Sequence, residues 1–166
     1  MKLDILVIAA HPDDAELCCS GTILTHIAAG HKVGIVDLTQ GELGTRGNAA
    51  LRMQEADAST KLLGIHAREN LGFRDCFFTN DEAHQLKIAA IIRKYQPEIV
   101  LTNAVHDRHP DHGKASSLIS ASCFLAGLRR IETMLDDVSQ PAWRPRVVYH
   151  FIQDYYIKPD FIVDIS

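Results

Sequence analysis

Strand-length apolar runs recur along this chain, and longer stretches of helical spacing separate most of them. The runs are Ile5–Ala9, Val33–Leu38, Ile99–Thr102, Val147–Ile152 and Phe161–Ile165, with a shorter strand predicted near Glu69–Gly72. The spacing of apolar residues predicts helices over Ala15–Ala29, Ala49–Leu63, Ala83–Tyr95 and Pro110–Leu128, each closed or followed by a breaker such as Gly30, Gly64 or Pro97. Strands that alternate with crossover helices bury both of their faces, so they form a mostly parallel sheet with right-handed connections.

The fold class expected is therefore α/β: a Rossmann-like, mostly parallel sheet with helices on both faces. Ligands in such sheets bind at the carboxyl ends of the strands. A chain of 166 residues is long enough for one domain with a real core, and a single domain over residues 1–166 is expected. The net charge of −4 contains no block of like charge, which argues against nucleic acid or a polybasic membrane surface as partner. No apolar run approaches the roughly 20 residues that cross a bilayer. The first residues lack the basic region and apolar stretch of a secretory leader, so a cytoplasmic location is expected. Cys18, Cys19, Cys76 and Cys123 have no CxxC spacing and read as small buried hydrophobes. The segment "TQGELGTRGN", Thr39–Asn48, carries three glycines that let the backbone either turn or approach a ligand closely.

Two short motifs fall where strands hand over to helices. The first strand runs into "HPDD", His11–Asp14, and the strand Ile99–Thr102 is followed by "HDRHPDH", His106–His112. A phosphate cradle is excluded, because no glycine-rich phosphate loop follows the strand and adjacent carboxylates repel a pyrophosphate. The residues suit a cation. His11 and Asp14 are three apart and share one side of a first helical turn; His109 and His112 repeat the spacing. Two histidines and one carboxylate leave a coordination position open, the arrangement of a catalytic rather than a structural metal. Nitrogen and oxygen donors without thiolate favour zinc, although iron(II), cobalt or manganese also accept such a set. Asp13 and His109 are surplus to one ion and free for proton chemistry: Asp13 as a general base, His109 as a protonated imidazole facing the oxyanion, with Asp111 holding its tautomer and charge.

"AHPDDAEL" followed by "HPDH" resembles the LmbE-like, or PIG-L, family of zinc-dependent de-N-acetylases, and the likeness extends over essentially the whole chain. "DLTQGELGTRGNAALRMQEA" and "DRHPDH" are similar to the bacillithiol branch of that family, whose substrate is N-acetylglucosaminyl malate. The resemblance implies an amide hydrolase with His11, Asp14 and His112 as metal ligands, Asp13 as general base, and His109 at the oxyanion with Asp111 behind it. It further implies Arg52 and Arg108 as substrate-binding residues, and Glu42, a charge partner available to Arg52, is expected to join them. A guanidinium fork suits the two carboxylates of malate. It implies assembly into homo-oligomers. Family members also extend several tens of residues past the position of Ser166, so the chain is expected to lack the C-terminal part of the family domain, including a tyrosine near the oxyanion.

Two other classes fit the same residues. A two-histidine, one-carboxylate set also describes a non-haem iron oxygenase, which has no use for the adjacent base. A non-catalytic metal- or sugar-binding module would bind substrate without releasing acetate.

Overall fold

The computed structural model describes all 166 residues. Strands β1 (Ile5–Ala9), β2 (Val33–Thr39), β3 (Ala67–Phe73), β4 (Ile99–Thr102) and, near the end of the chain, β7 (Val147–His150) form one sheet in the order β3-β2-β1-β4-β7. Every neighbouring pair in it is parallel. Helices α1 (Asp14–Ala28), α2 (Ala49–Leu63) and α3 (Glu82–Tyr95) connect the first four strands, and α4 (Pro110–Ala126) follows β4. Between α4 and β7 a small hairpin, β5 (Met134–Leu135) and β6 (Val138–Ser139), turns through Asp136 and Asp137. Both aspartates have positive φ, as a two-residue hairpin of type I′ requires.

The strands β1 and β2 are buried at every position because both faces of the sheet are covered. Successive side chains of β1 point to opposite faces and divide the core in two. Leu6 and Ile8 pack with Ile88, Ile92, Leu118 and Ile119 of α3 and α4. Ile5 and Val7 pack with Ile23 of α1 and with Val33 and Ile35 of β2. On this second side Arg68 donates to Asp37 at 2.9 Å and also meets Glu16, to which Ser59 of α2 donates at 2.7 Å. That buried, paired network ties α2 to α1 and to the sheet. Arg93 on the other side donates to the carbonyls of Ala126, Leu128 and Ile131, pinning the chain that leaves α4.

The α/β architecture and the order of its main elements agree with the periodicity, with boundaries moved by one or two residues for most helices. The short third strand is longer than expected, Ala67–Phe73. Phe161–Ile165 is not a strand: β7 is the last strand of the sheet on that side, and without a ladder partner an apolar run has no reason to be one. Its side chains stay exposed, although Phe161 meets the Tyr149 ring at 4.8 Å between centroids and Ile165 rests on Gly21, at which a Cβ would lie 2.7 Å from Ile165 Cδ1. The cysteines also divide. Cys19 and Cys123 are buried, whereas Cys76 is exposed and adopts φ +62°, so it is no core residue. No helix is long and apolar enough to cross a membrane.

Candidate metal centre

The two motifs leave neighbouring strands. β1 pairs with β4, Ile8 opposite Thr102, so the loops that follow them meet on the carboxyl rim of the sheet. Asn103 fastens them together: its Oδ1 accepts from the backbone amide of Ala10 at 2.9 Å and its Nδ2 donates to Asp14 Oδ2 at 3.0 Å. Asp14, only 2% exposed, stands between two imidazoles. Its Oδ1 lies 3.2 Å from His112 Nε2 and its Oδ2 3.6 Å from His11 Nδ1. The backbone amide of His11 and the side-chain amide of Gln153 also donate to it, each at 3.0 Å. On the far side of the His112 ring, Nδ1 meets Asp107 Oδ2 at 2.8 Å, a contact that fixes the orientation of the imidazole. The structure thus brings His11, Asp14 and His112 together.

His109 joins them, its ring centroid 4.8 Å from that of His11 and 5.0 Å from that of His112. Two overlapping sets of donor atoms lie within 4.8 Å of one another: His11 with His109 and His112, and His11 with Asp75 and Asp111. This concentration of donors fits a divalent cation on electrostatic grounds. Burial opposes a charge on His11, yet the hydrogen bond and charge of Asp14, joined by Asp75 and Asp111, overcome it and lift its pKa to about 9. His112 is raised in the same way against its own burial, chiefly by Asp14. Burial likewise opposes ionisation of Asp14, but the two imidazoles hold its carboxyl well below the usual range. Buried carboxylates here demand positive charge, which a metal ion meets without protons.

Asp13 lies on the outer side of the site and is more open, with its side chain 46% exposed. Burial and the neighbouring charge of Asp14 raise its pKa, while Arg52 pulls the other way. Arg52 reaches from α2 and donates to Asp13 Oδ2 at 3.2 Å. The glycine loop makes that reach possible. Gly41 has φ +60°, and a Cβ there would lie 2.1 Å from Arg52 Nη1, so only glycine leaves the guanidinium its place. Glu42 accepts from the backbone amide of Asp75 at 2.8 Å. Arg108 is exposed and pairs with Asp154 at 3.3 Å.

Asp111 and His109 meet differently from the expected carboxylate-to-imidazole contact. The backbone amide of Asp111 donates to His109 Nδ1 at 3.3 Å, which leaves the ring's own proton on Nε2. Burial and the charges of His11 and His112 lower the pKa of His109, so the ring is biased toward neutral. The carboxylate of Asp111 is engaged elsewhere: it accepts from Lys114 Nζ and the Cys76 amide, both at 3.0 Å, and lies 3.5 Å from His11 Nε2. Cys76 is held at positive φ between the Asp75 and Asp111 carboxylates, a local strain that the site maintains.

Four further polar residues belong to the site without having been singled out from the sequence: Asp75, Asn103, Asp107 and Gln153. Asp75 follows β3, Asn103 and Asp107 follow β4, and Gln153 follows β7. The rim rule, applied to every strand rather than to the two motifs, points to all four. His106 lies outside this shell, exposed, with its ring 5.1 Å from that of Tyr155.

The family model for GlcNAc-PI de-N-acetylase, PIG-L, matches residues 6–123, which include both motifs. The chain belongs to the PIG-L family. Among curated PIG-L relatives, diacetylchitobiose deacetylase of Thermococcus kodakarensis is 30% identical, covering 98% of this chain and 63% of its own length. A probable N-acetyl-alpha-D-glucosaminyl L-malate deacetylase 2 of Bacillus anthracis is 30% identical over 67% of this chain and 56% of its own length. The chain thus spans less than two thirds of either relative. A crystal structure of a conserved protein from Thermus thermophilus superposes with a TM-score of 0.91 at 38% identity, covering 99% of this chain and 72% of that one. By their names the two curated relatives are deacetylases of diacetylchitobiose and of N-acetyl-alpha-D-glucosaminyl L-malate, whereas a further solved structure, of a 4-carboxy-2-hydroxymuconate hydratase from Pseudomonas putida, superposes with a TM-score of 0.69 at 27% identity, covering 78% of this chain and 59% of that one.

Proposed function

We propose that the chain is a metal-dependent N-deacetylase of an N-acetylglucosamine conjugate, with N-acetylglucosaminyl malate as its substrate. The observation that carries this reading is the buried Asp14 carboxylate placed between His11 and His112, with a second, open carboxylate, Asp13, beside it. His11, Asp14 and His112 would hold the ion, with zinc as the metal. A divalent cation in that place supplies Lewis acidity toward an amide carbonyl and toward water.

The chain's own residues do the rest. Asp13, adjacent to the ligands and accessible, takes the proton of the attacking water. His109 presents Nε2–H across the site and donates to the carbonyl oxygen as negative charge develops there. The amide C–N bond then breaks, the nitrogen takes up the proton that Asp13 holds, and acetate and the free amine leave. Arg52 and Arg108 on the rim offer guanidinium groups to the malate carboxylates, and Glu42 braces the Asp75 loop at the same mouth. The likeness to a malate-conjugate deacetylase supports this choice of aglycone.

Acetate release by the zinc-loaded chain from N-acetylglucosaminyl malate, beside diacetylchitobiose and N-acetylglucosamine, tests the reading. Release that favours the malate conjugate and falls in Arg52→Met and Arg108→Met is expected. Metal binding without release from any of the three substrates would refute it.

A further inference from the structure

Helix α1 carries a second pair of imidazoles at its other end. Its C-terminus closes with a pattern that fixes two side chains against each other. Gly30, at φ +89°, lets the chain reverse: its amide donates to the carbonyl of Ile27 at 2.9 Å, and the next amide, that of His31, donates to the carbonyl of His26 at 3.0 Å. These two bonds form a Schellman-type close, in which the residue beyond the glycine packs on the helical residue whose carbonyl it caps. In most helices that contact is between apolar side chains. Here it is His26 on His31, with ring centroids 5.1 Å apart and Nδ1 3.0 Å from Nδ1.

That separation matches a chelate. Two imidazole nitrogens bound to one ion at metal–nitrogen distances of about 2.0 to 2.1 Å are about 2.9 Å apart in an octahedral cis pair and about 3.4 Å apart in a tetrahedral one. The negative end of the helix dipole lies at the same place and favours a cation. His31 is exposed and His26 partly so, leaving the remaining coordination positions to water. We propose that His26 and His31 form a separate surface site for a divalent first-row transition cation, with nickel and copper preferred over manganese or magnesium. Imidazole selects these ions by its donor softness and their place in the affinity series. The pair makes little demand on protons. Burial and the neighbouring imidazole lower the pKa of His26, and one ring already uses Nδ1 as acceptor. Binding needs only that the other ring move its proton from Nδ1 to Nε2 through water, so two neutral imidazoles release no net proton.

The site is distinct from the candidate metal centre: Asp14 and His26 are separated along α1 by about 18 Å at the rise of an α-helix. The test is calorimetric titration of the chain, loaded with one equivalent of zinc, with nickel chloride, the retained zinc being measured in parallel. One further equivalent of nickel should bind with zinc retained. Its affinity should fall about tenfold or more in His26→Ala and in His31→Ala, because each leaves a single donor. Gly30→Ala, which keeps both histidines but disfavours the turn that pairs them, should weaken it as well. His66→Ala should bind as the parent does. Absence of nickel uptake, uptake matched by zinc release, or uptake unchanged in both histidine variants would each overturn the proposal.

Discussion

The same tripeptide, His-Pro-Asp, occurs on both sides of the site and is used in opposite senses. After β1, His11 and Pro12 are buried and Asp13 is half-exposed; after β4, Asp111 is buried while His109 is half-exposed and Pro110 exposed. The cause is helix phase. In the first motif the helix begins at Asp14 with Asp13 as N-cap, whereas in the second it begins at Pro110 with His109 as N-cap. Starting two residues earlier in the motif rotates its residues by about 200° around the helix axis, enough to exchange inward and outward positions. β1 runs almost directly into its motif, while a loop after Thr102 gives the second motif room to start its helix at the proline. One sequence pattern thereby yields a half-exposed carboxylate on one side and a half-exposed imidazole on the other.

The contrast can be broken first at the residues that close each motif. Asp14→Ala or His112→Ala removes a donor from the buried set; metal content by mass spectrometry should fall to background and acetate release with it. Asp13→Asn should retain the metal yet lower kcat by roughly 10² to 10⁴, the usual contribution of a positioned base. If its mirror position carried the same role, Asp111→Asn would cause an equal loss at unchanged metal content; a smaller loss together with weaker metal binding is expected instead, because Asp111 faces His11 and Lys114.

Stability of the metal-free chain sharpens the electrostatic side. The folded pKa of His11 is about 9, above the 6.5 of an unperturbed histidine. The stabilisation from its protonation is therefore complete below about pH 6.5 and is lost as pH rises through about 9. Thermal unfolding of the metal-free chain should show Tm declining across that window, a change on the order of a few kcal/mol in stability. The metal-loaded chain, whose His11 is already deprotonated, should show little of that decline. The smallest effect belongs to the prolines. Pro110→Ala, at an exposed first helical position, should cost about 0.4–1 kcal/mol through unfolded-state entropy, and Pro12→Ala, in a buried loop, should cost more.

Much of this fold was legible because parallel strands and crossover helices write their periods plainly: β1 and β4 match the apolar runs, and α2 matches the expected Ala49–Leu63. The hairpin of β5 and β6 was not legible, since strands of two residues carry no period. Phe161–Ile165 misled for the converse reason: apolarity is local, whereas a strand requires a partner. In the site, His11, Asp14, His109 and His112 stood out because imidazoles and carboxylates cluster in two short motifs. Asn103 and Gln153 did not, since a lone amide in a loop is commonplace until the sheet places it against Asp14. The burial of Asp111 and the exposure of Asp13 depend on where each helix begins, and two identical tripeptides conceal that difference.

The pairing of β1 with β4 has a consequence for when this molecule becomes reactive. Ile5 lies against Ile99, so nearly the whole intervening chain must be arranged before the two halves of the site meet. Of the three residues proposed to hold the ion at this centre, a nascent or partly unfolded chain has only His11 and Asp14 on its first half, an incomplete set. On the proposed reading, metal capture acts as a timer set by topology: the ion's full set of donors exists only once β1 and β4 have paired, and a chelator added during refolding would intercept that late event.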